Sequence, residues 1–317
     1  MVRGISTSDR QYNYVLLAEN AYINENKEKA IEFYKKALMF RGNIEDIIAI
    51  LYNIAEIYDE MDDAFKSLYT YEEITRVDPE EAGAYYGMAM MYERIGHKDK
   101  ALENYHKAID IDPYYDRAYY YAANIYDENG DKDKAIEYYE KVIKLVPDDY
   151  IAYNNIGSIY EELEDYHKAY NMIEKSLNIQ PDYYKGLFNM GVIYKAMGNN
   201  EKALDYYFKS IDSNPEYSYS YLNISAIYIE EKRYEDTISL LTEGIKNNPK
   251  AHDLYYNRAC CYSILDDKAN ALADLGEAVA LLPEIIQSIK VDKDFESLHG
   301  DAEFERIIEE ANINWYK

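Results

Sequence analysis

The sequence predicts an all-α solenoid, a fold in which pairs of helices stack one after another along the chain. Three observations predict it: the spacing of the prolines, small residues at two fixed positions, and aromatic residues between them. Because proline is excluded from helix interiors, a regular proline spacing marks the end of a repeated helical unit. The seven prolines, each 34 residues after the last, are Pro79, Pro113, Pro147, Pro181, Pro215, Pro249 and Pro283.

Small residues recur at two positions of every unit. If proline is position 32, units begin at residues 48, 82, 116, 150, 184, 218 and 252, and an earlier unit begins at 11 with Gly42 in place of proline. Position 8 and position 20 hold Ala, Gly, Ser or Thr in all eight units, as in Ala89 and Ala101. Small residues let two helices cross closely, so each unit is predicted to contain a helix A and a helix B.

Aromatic residues and glycines complete the repeated pattern. Tyrosine fills position 11 in seven units and position 24 in five. Gly96, Gly130 and Gly198 at position 15 suit the left-handed conformation that ends a helix. This pattern resembles the tetratricopeptide repeat (TPR) family. The resemblance implies a right-handed superhelical solenoid of eight helix-turn-helix repeats with a C-terminal capping helical tail.

The domain organisation follows from the same numbering. We expect an N-terminal cap over residues 1–10, the repeat array over 11–285, and a C-terminal capping tail over 286–317. In the tail, Phe295, Leu298 and Phe304 are expected to cover the last repeat, because the end of a stacked array exposes its core. Arg258 at position 7 of the last repeat is expected to pair with Asp274, a structural pair also seen in the family.

The composition limits the kinds of partner. The chain has 60 acidic and 34 basic residues and a net charge of −26, which disfavours nucleic acid because phosphates would be repelled. The partner is expected to be a protein or peptide that could carry a basic segment. The only cysteines, Cys260 and Cys261, are sequence neighbours that cannot form a disulfide framework, which favours a reducing compartment.

The sequence carries no membrane signal and no catalytic motif. No apolar stretch is long enough for a membrane span or a signal peptide, so we expect a cytoplasmic protein, and the composition suggests a bacterial source. Five scattered histidines show no metal-ligand spacing and no nucleophile lies beside them. The sequence therefore predicts no enzyme activity, cofactor or metal.

The resemblance places the binding surface on the concave face, which helix A lines with positions 2, 5, 6, 9, 12 and 13. Position 6 is asparagine in repeat 2 and in each of the last four repeats; these are Asn53, Asn155, Asn189, Asn223 and Asn257. An amide both donates and accepts hydrogen bonds, so such a row could hold the backbone of an extended peptide. The alternative is that asparagine is simply common at this position of the family.

Aromatic and acidic residues accompany this row. Position 5 holds Tyr52, Tyr86, Tyr120, Phe188 and Tyr256, which are predicted to offer stacking or cation-π surfaces. Positions 9, 12 and 13 of repeats 2 to 5 hold Glu56, Asp59, Glu60, Glu93, Asp127, Glu128, Glu161 and Glu162. The first half of the array is therefore predicted to suit a basic segment.

A carboxylate clamp of the kind found in chaperone-tail receptors of the family is only partly present. Asn124, Asn155 and Lys185 match three of its five positions. Tyr120 and Asn189 stand where Lys and Arg are expected, so most of the positive charge that a carboxylate needs is missing.

The leading functional hypothesis is a non-catalytic adaptor or scaffold that binds an extended peptide segment of a partner along the concave groove. The alternative is a sensor for a small signalling peptide in a bacterial regulatory system. Such sensors usually carry a DNA-binding segment, for which about ten residues before the first repeat leave no room.

Overall fold

The computed structural model describes residues 7–40 and 42–315, which form helices and connecting turns with no strand among them. The described residues fall into two compact units, with the boundary between Asp148 and Asp149. We call them the N-terminal unit and the C-terminal unit. Residues 1–6 of the predicted N-terminal cap lie outside the described residues.

The N-terminal unit contains four consecutive helix pairs. Helix α1 begins at Thr7, four residues before the predicted first repeat. Its helices are α1 (Thr7–Ile23), α2 (Lys27–Leu38), α3 (Ile44–Glu60), α4 (Ala64–Val77), α5 (Ala82–Arg94), α6 (Lys98–Ile111), α7 (Asp116–Glu128) and α8 (Lys132–Leu145).

The C-terminal unit contains four further helix pairs and a tail. The paired helices are α9 (Tyr150–Glu162), α10 (Tyr166–Ile179), α11 (Tyr184–Ala196), α12 (Asn200–Ser213), α13 (Ser218–Glu230), α14 (Tyr234–Asn247), α15 (His252–Ile264) and α16 (Lys268–Leu281). The tail consists of a 3-10 helix (Pro283–Ile285), α17 (Ile286–Ile289), a second 3-10 helix (Lys293–Leu298) and α18 (Ala302–Trp315). The prediction of an all-α fold built from consecutive helix pairs is thus confirmed.

Each helix B ends where the prolines predict. In every repeat from the second to the eighth, the proline is the second residue after the last residue of helix B, as with Val77 and Pro79 or Leu281 and Pro283. The ring removes a backbone donor and blocks a further helical turn. The proline spacing therefore sets the length of the repeat in the folded chain.

The start of helix B is fixed by a side chain that sequence analysis overlooked. In six repeats an Asp or Asn at position 16 accepts a hydrogen bond from the backbone N–H three residues on, which satisfies a donor that the helix leaves free. These residues are Asn26, Asp63, Asp131, Asp165, Asn199 and Asp267. In five repeats the lysine at position 19 lies over the tyrosine at position 11, as in Lys168 and Tyr160 at 4.9 Å.

The turn between the helices has the same backbone conformation in all eight repeats. Gly96, Gly130 and Gly198 have φ between +77° and +81°, as predicted. The other five repeats adopt positive φ without glycine, at Glu25, Asp62, Glu164, Lys232 and Asp266. The packing of helix A against helix B requires positive φ at position 15, even where a residue other than glycine adopts it at an energetic cost.

The cores confirm the role of the small residues. Ala89 and Ala101 are fully buried in the N-terminal unit, and Ala259 and Ala271 are fully buried in the C-terminal unit. The tail extends the core of the last repeat, because Phe295, Leu298 and Phe304 pack against Ala259, Leu275 and neighbouring residues. The predicted cover of the last repeat is confirmed.

The predicted pair Arg258–Asp274 is also present. Arg258 Nε and Nη2 each donate to Asp274 at 2.7 Å, and Nη1 donates to Thr242 Oγ1 at 2.8 Å. Asp274 is 5% exposed. The two bonds to Asp274 join helix A to helix B of the last repeat. The bond to Thr242 joins Arg258 to helix B of the repeat before it.

Candidate functional site

In each unit the candidate site is the surface formed by positions 2, 5, 6, 9, 12 and 13 of the odd-numbered helices, which are α1 to α7 in the N-terminal unit and α9 to α15 in the C-terminal unit. We call it the helix-A face. It corresponds to the face that the resemblance places on the concave side. The five asparagines at position 6 are all half-buried on this face, so each side chain is both anchored and accessible.

In the C-terminal unit, two members of the asparagine row are joined by a third asparagine. Asn189 Nδ2 donates to Oδ1 of the buried Asn154 at 3.0 Å, and Asn154 Nδ2 donates to Asn155 Oδ1 at 3.4 Å. These bonds link α9 to α11 and fix the orientation of the half-buried amides of Asn155 and Asn189. Part of their hydrogen-bonding capacity is therefore used within the protein.

The remaining two members of the row differ from each other. Asn223 Nδ2 donates to the Tyr219 carbonyl oxygen at 2.9 Å, and its Oδ1 accepts from the Tyr207 hydroxyl at 3.3 Å. The amide of Asn257 forms no hydrogen bond with any described residue. Asn257 is consequently the member of the row with its full capacity for a ligand.

An open cavity surrounds Asn257. It has a volume of about 550 Å³ and lies between α13, α15 and the start of the tail. Leu222, Tyr256, Leu282 and Ile285 supply its apolar walls. Its lining also includes the polar and charged residues His252, Asp253, Glu284 and Ser288. A cavity with apolar walls and several polar groups can take an apolar side chain beside a peptide bond.

The other predicted polar residues are placed as follows. Asn53 Nδ2 donates to the Ala49 carbonyl oxygen at 2.9 Å, and Asn124 accepts a hydrogen bond from the Tyr139 hydroxyl. Both belong to the N-terminal unit. Lys185 is exposed at the start of α11 in the C-terminal unit.

The aromatic residues at position 5 are half-buried and mostly engaged in packing. Within each repeat the ring lies against the tyrosine at position 24, with centroids 5.6–6.0 Å apart. These pairs are Tyr52–Tyr71, Tyr86–Tyr105, Tyr120–Tyr139 and Phe188–Tyr207. Tyr256 packs on Phe295 of the tail instead, at 5.5 Å. One face of each ring is thus occupied by the protein itself.

The tyrosines at position 24 are a part of the site that sequence analysis treated only as core filler. The rings of Tyr105, Tyr139 and Tyr207 are almost completely buried. Their hydroxyls nevertheless reach the helix-A face, where Tyr105 donates to Glu93 Oε2 at 2.5 Å. Isoleucine or leucine at this position in other repeats could have signalled that the hydroxyl has a separate role.

Most acidic residues at positions 12 and 13 of the N-terminal unit are paired internally. The pairs are Glu60 with Lys27, Asp59 with Arg94, Glu128 with Lys98 and Asp127 with Lys132. Three of these four pairs join adjacent repeats. Because each acidic residue is paired with a lysine or arginine, much of the negative charge predicted to attract a basic segment is neutralised within the protein.

Glu93 and Glu161 are different, because neither forms an ion pair with a described residue. Burial is the main cause that raises the pKa of each above the usual value for glutamate. For Glu93 the hydrogen bond from Tyr105 opposes that shift, whereas for Glu161 the nearby charge of Glu162 adds to it. A partner's cation would relieve this cost of burial.

One group of possible metal ligands occurs among the described residues. Cys260, Asp292 and Asp294 bring three ligand atoms within 4.8 Å of one another. Asp292 already accepts from the Tyr256 hydroxyl at 2.5 Å and from the Asp294 backbone N–H at 3.0 Å. Burial raises the pKa of the Cys260 thiol, which opposes the thiolate that a metal needs. We assign this group to the contact between the last repeat and the tail.

Comparison with known proteins identifies the family. Models described as tetratricopeptide repeat match residues 82–115, 116–149, 148–216 and 252–284, which together exceed half of the chain. The chain therefore belongs to the tetratricopeptide repeat family. No curated protein sequence matches it.

Solved structures share the fold at low identity. A tetratricopeptide repeat protein from Parabacteroides merdae is 17% identical with a TM-score of 0.62, and the match covers 76% of this chain and 96% of that one. A chain of the APC/C hetero-tetramer Cut9–Hcn1 is 18% identical with a TM-score of 0.58, over 93% of this chain and 57% of that one. Pseudomonas aeruginosa pilF is 17% identical with a TM-score of 0.57, over 70% and 98%. At this identity the likeness concerns the fold alone.

The family sets the broad kind of function. Tetratricopeptide repeat proteins are generally scaffolds for protein interactions, and their fold is typically non-catalytic. Within the described part of the chain, no helix is both long and apolar enough to cross a membrane.

Proposed function

We propose that this protein is a non-catalytic adaptor that binds an extended segment of a partner protein along the helix-A face of its C-terminal unit. The observation that carries this proposal is the row of four half-buried asparagines, Asn155, Asn189, Asn223 and Asn257, with the cavity beside the last of them. The first three amides are oriented by bonds within the protein, which reduces the entropy lost when a peptide binds.

The chemistry of the face defines the segment it suits. Amide groups spaced along the row suit the carbonyl and N–H groups of an extended backbone. The walls of the cavity beside Asn257 suit one apolar side chain. Glu161, which lacks a cation of its own, suits a lysine or arginine at another position of the same segment. The expected partner segment therefore combines an apolar anchor with a basic residue.

We also propose that the adaptor works in a reducing compartment. Cys260 and Cys261 are both free and buried, and unpaired thiols are usual in reducing compartments. This supports the cytoplasm as the place where the adaptor works.

The proposal is tested with peptides selected from a random phage-displayed library on the wild-type chain. Changing Asn155, Asn189, Asn223 and Asn257 together to alanine is expected to weaken the selected peptides about tenfold or more, because several hydrogen bonds are lost. Asn171→Ala is the matched control, since Asn171 is exposed on helix B of repeat 5. Fluorescence anisotropy gives the affinities, and circular dichroism checks the fold.

Equal affinity for the quadruple variant and the wild type would contradict the proposal. Binding of free short peptides, with no binding of the same sequence inside a longer chain, would favour the alternative function, a sensor for a small signalling peptide.

A further inference from the structure

Helix B of the second repeat, α4, carries two exposed aromatic residues on neighbouring turns. Phe65 is 71% exposed and Tyr69 is 54% exposed. Because they are four residues apart, both lie on the same side of the helix. We propose that two copies of the chain bind each other through this side of α4, with the two α4 helices antiparallel. The surface belongs to the N-terminal unit and includes no residue of the asparagine row, so this inference does not depend on the proposed function.

Comparison of the repeats with one another shows that the aromatic residues are specific to α4. Phe65 and Tyr69 occupy positions 18 and 22 of their repeat, and both positions are exposed in all eight repeats. In the other seven repeats these positions hold acidic residues, other polar residues or alanine: Glu28 and Glu32, Asp99 and Glu103, Asp133 and Glu137, His167 and Asn171, Glu201 and Asp205, Glu235 and Ser239, and Ala269 and Ala273. The repeat fold therefore does not need aromatic side chains there. A paired apolar surface that the fold does not need indicates contact with another molecule.

The order of charges along α4 selects a second copy of the chain as that molecule. Asp62 and Lys66 precede Tyr69, whereas Glu73 and Arg76 follow it. Lys66 and Glu73 lie at similar distances on either side of Tyr69 and carry opposite charges. The same holds for Asp62 and Arg76. An antiparallel pair of α4 helices with a twofold axis beside Tyr69 therefore brings opposite charges together at both ends of the interface.

Helical geometry supports this arrangement. Lys66 and Glu73 are seven residues apart, which is about two helical turns, so both lie on one flank of α4. When a twofold axis relates two antiparallel helices, the same flank of each helix lies on the same side of the interface. Lys66 of each copy then lies opposite Glu73 of the other copy. A parallel pair would instead place like charges at the same level of the interface.

The charged groups are available for contacts with a second copy. Glu73 is half-buried and forms no hydrogen bond or ion pair with another described residue. Lys66 pairs with Asp63 at 2.5 Å, and Arg76 pairs with Glu72 at 3.3 Å. Both cations are more than half exposed, and exposed pairs of this kind contribute little to stability. Each cation can therefore also contact a carboxylate of the second copy.

The dimer is expected to be weak. One helix face on each copy buries less area than the roughly 1,200–2,000 Å² of a stable interface. The net charge of −26 on each chain adds repulsion between the copies. We expect a dissociation constant of about 10–100 μM at about 150 mM NaCl, where that repulsion is screened beyond about 8 Å.

Sedimentation equilibrium of the full chain, from about 5 to about 500 μM, measures the association. The wild type is expected to change from monomer to dimer over this range, and a monomer at the highest concentration would overturn the proposal. Phe65→Glu with Tyr69→Glu gives repeat 2 the residues of repeat 1 and is expected to weaken the dimer at least about tenfold. Circular dichroism checks the fold.

The last repeat supplies the matched control. Ala269→Glu with Ala273→Glu adds the same charge at the same two positions and should leave the dissociation constant within about twofold of the wild type. If both double variants weakened the dimer equally, added charge and not the aromatic surface of α4 would be the cause, which would contradict the proposal.

An exchange of charges tests the antiparallel arrangement. Lys66→Glu alone and Glu73→Lys alone are each expected to weaken the dimer at least about tenfold, because each variant then brings two pairs of like charges together. An equimolar mixture of the two variants is expected to recover the wild-type affinity, since both pairs in the mixed dimer are again opposite. A fluorescent label on one variant identifies the mixed dimer in sedimentation. If the mixture associated no better than either variant alone, the two α4 helices would not lie antiparallel and the proposal would be wrong.

Discussion

The tyrosine at position 24 both packs in the core and forms a hydrogen bond at the helix-A face. In Tyr105, Tyr139 and Tyr207 the ring fills the space between helices A and B, while the hydroxyl donates to Glu93, Asn124 or Asn223 on the helix-A face. A buried tyrosine needs such an acceptor to offset the loss of water. Core packing and the orientation of the site residues are therefore linked through single side chains.

The positive φ at position 15 leads to a prediction for Glu164, whose φ is +58°. Glu164→Gly is expected to stabilise the chain by about 0.5–1 kcal/mol, because glycine adopts this conformation without steric cost. Glu164→Ala removes the same charge and keeps the strain, so it is the matched control. Urea unfolding measures both variants, and equal stability of the alanine and glycine variants would show that the positive φ at residue 164 costs no free energy.

A pH dependence is predicted at His106. Its Nε2 lies 3.0 Å from the Tyr126 hydroxyl and 3.2 Å from the Tyr138 hydroxyl. Burial lowers the pKa of His106, with Asp110 opposing and Lys134 assisting the shift. The unfolded chain therefore takes up this proton first, at its ordinary pKa of about 6.5.

His106 should accordingly cost stability as the pH falls below about 6.5, down to its lower pKa in the folded state. The free energy of unfolding of wild type minus that of His106→Gln, measured from pH 8 to pH 5, is expected to decrease over this window. The difference removes the titration of the many carboxylates that both chains share. A constant difference would show that His106 has the same pKa in both states.

At the scale of the helices, some boundaries are visible in the sequence and others are not. Helix B ends two residues before each proline, and Gly96, Gly130 and Gly198 mark three of the turns, because these residues restrict or permit particular backbone conformations. Asp62 and Lys232 adopt the same turn conformation without any such signature. At these two residues the packing of the helices determines the sign of φ and overrides the preference of the residue for negative φ.

The pair Arg258–Asp274 gives a prediction for one helix pair. Asp274→Ala is expected to destabilise the chain by about 3–5 kcal/mol, because a guanidinium group is left without its buried partner. Replacing both residues, with Arg258→Met and Asp274→Leu, should recover most of that loss. Thermal and urea unfolding measure both effects. If the double variant were less stable than Asp274→Ala, the cost would lie in packing and not in the stranded charge.

At the scale of the whole molecule, repetition is what made the fold predictable. Residues 34 apart occupy equivalent places, so eight copies of a weak pattern identify helices, faces and the family. The site was less predictable, because its properties depend on contacts between different repeats. The bond from Asn189 to Asn154 and the pair of Asp59 with Arg94 each cross a repeat boundary. The position of a residue within its own repeat does not predict such contacts.

On the proposed function, a partner segment lies on the helix-A face of the C-terminal unit. The most direct measurement places a photoreactive benzophenone residue in a library-selected peptide and identifies its cross-links by mass spectrometry. We expect cross-links to α9, α11, α13 and α15, concentrated around Asn257 and the walls of its cavity. Cross-links confined to α10, α12, α14 and α16 would contradict it.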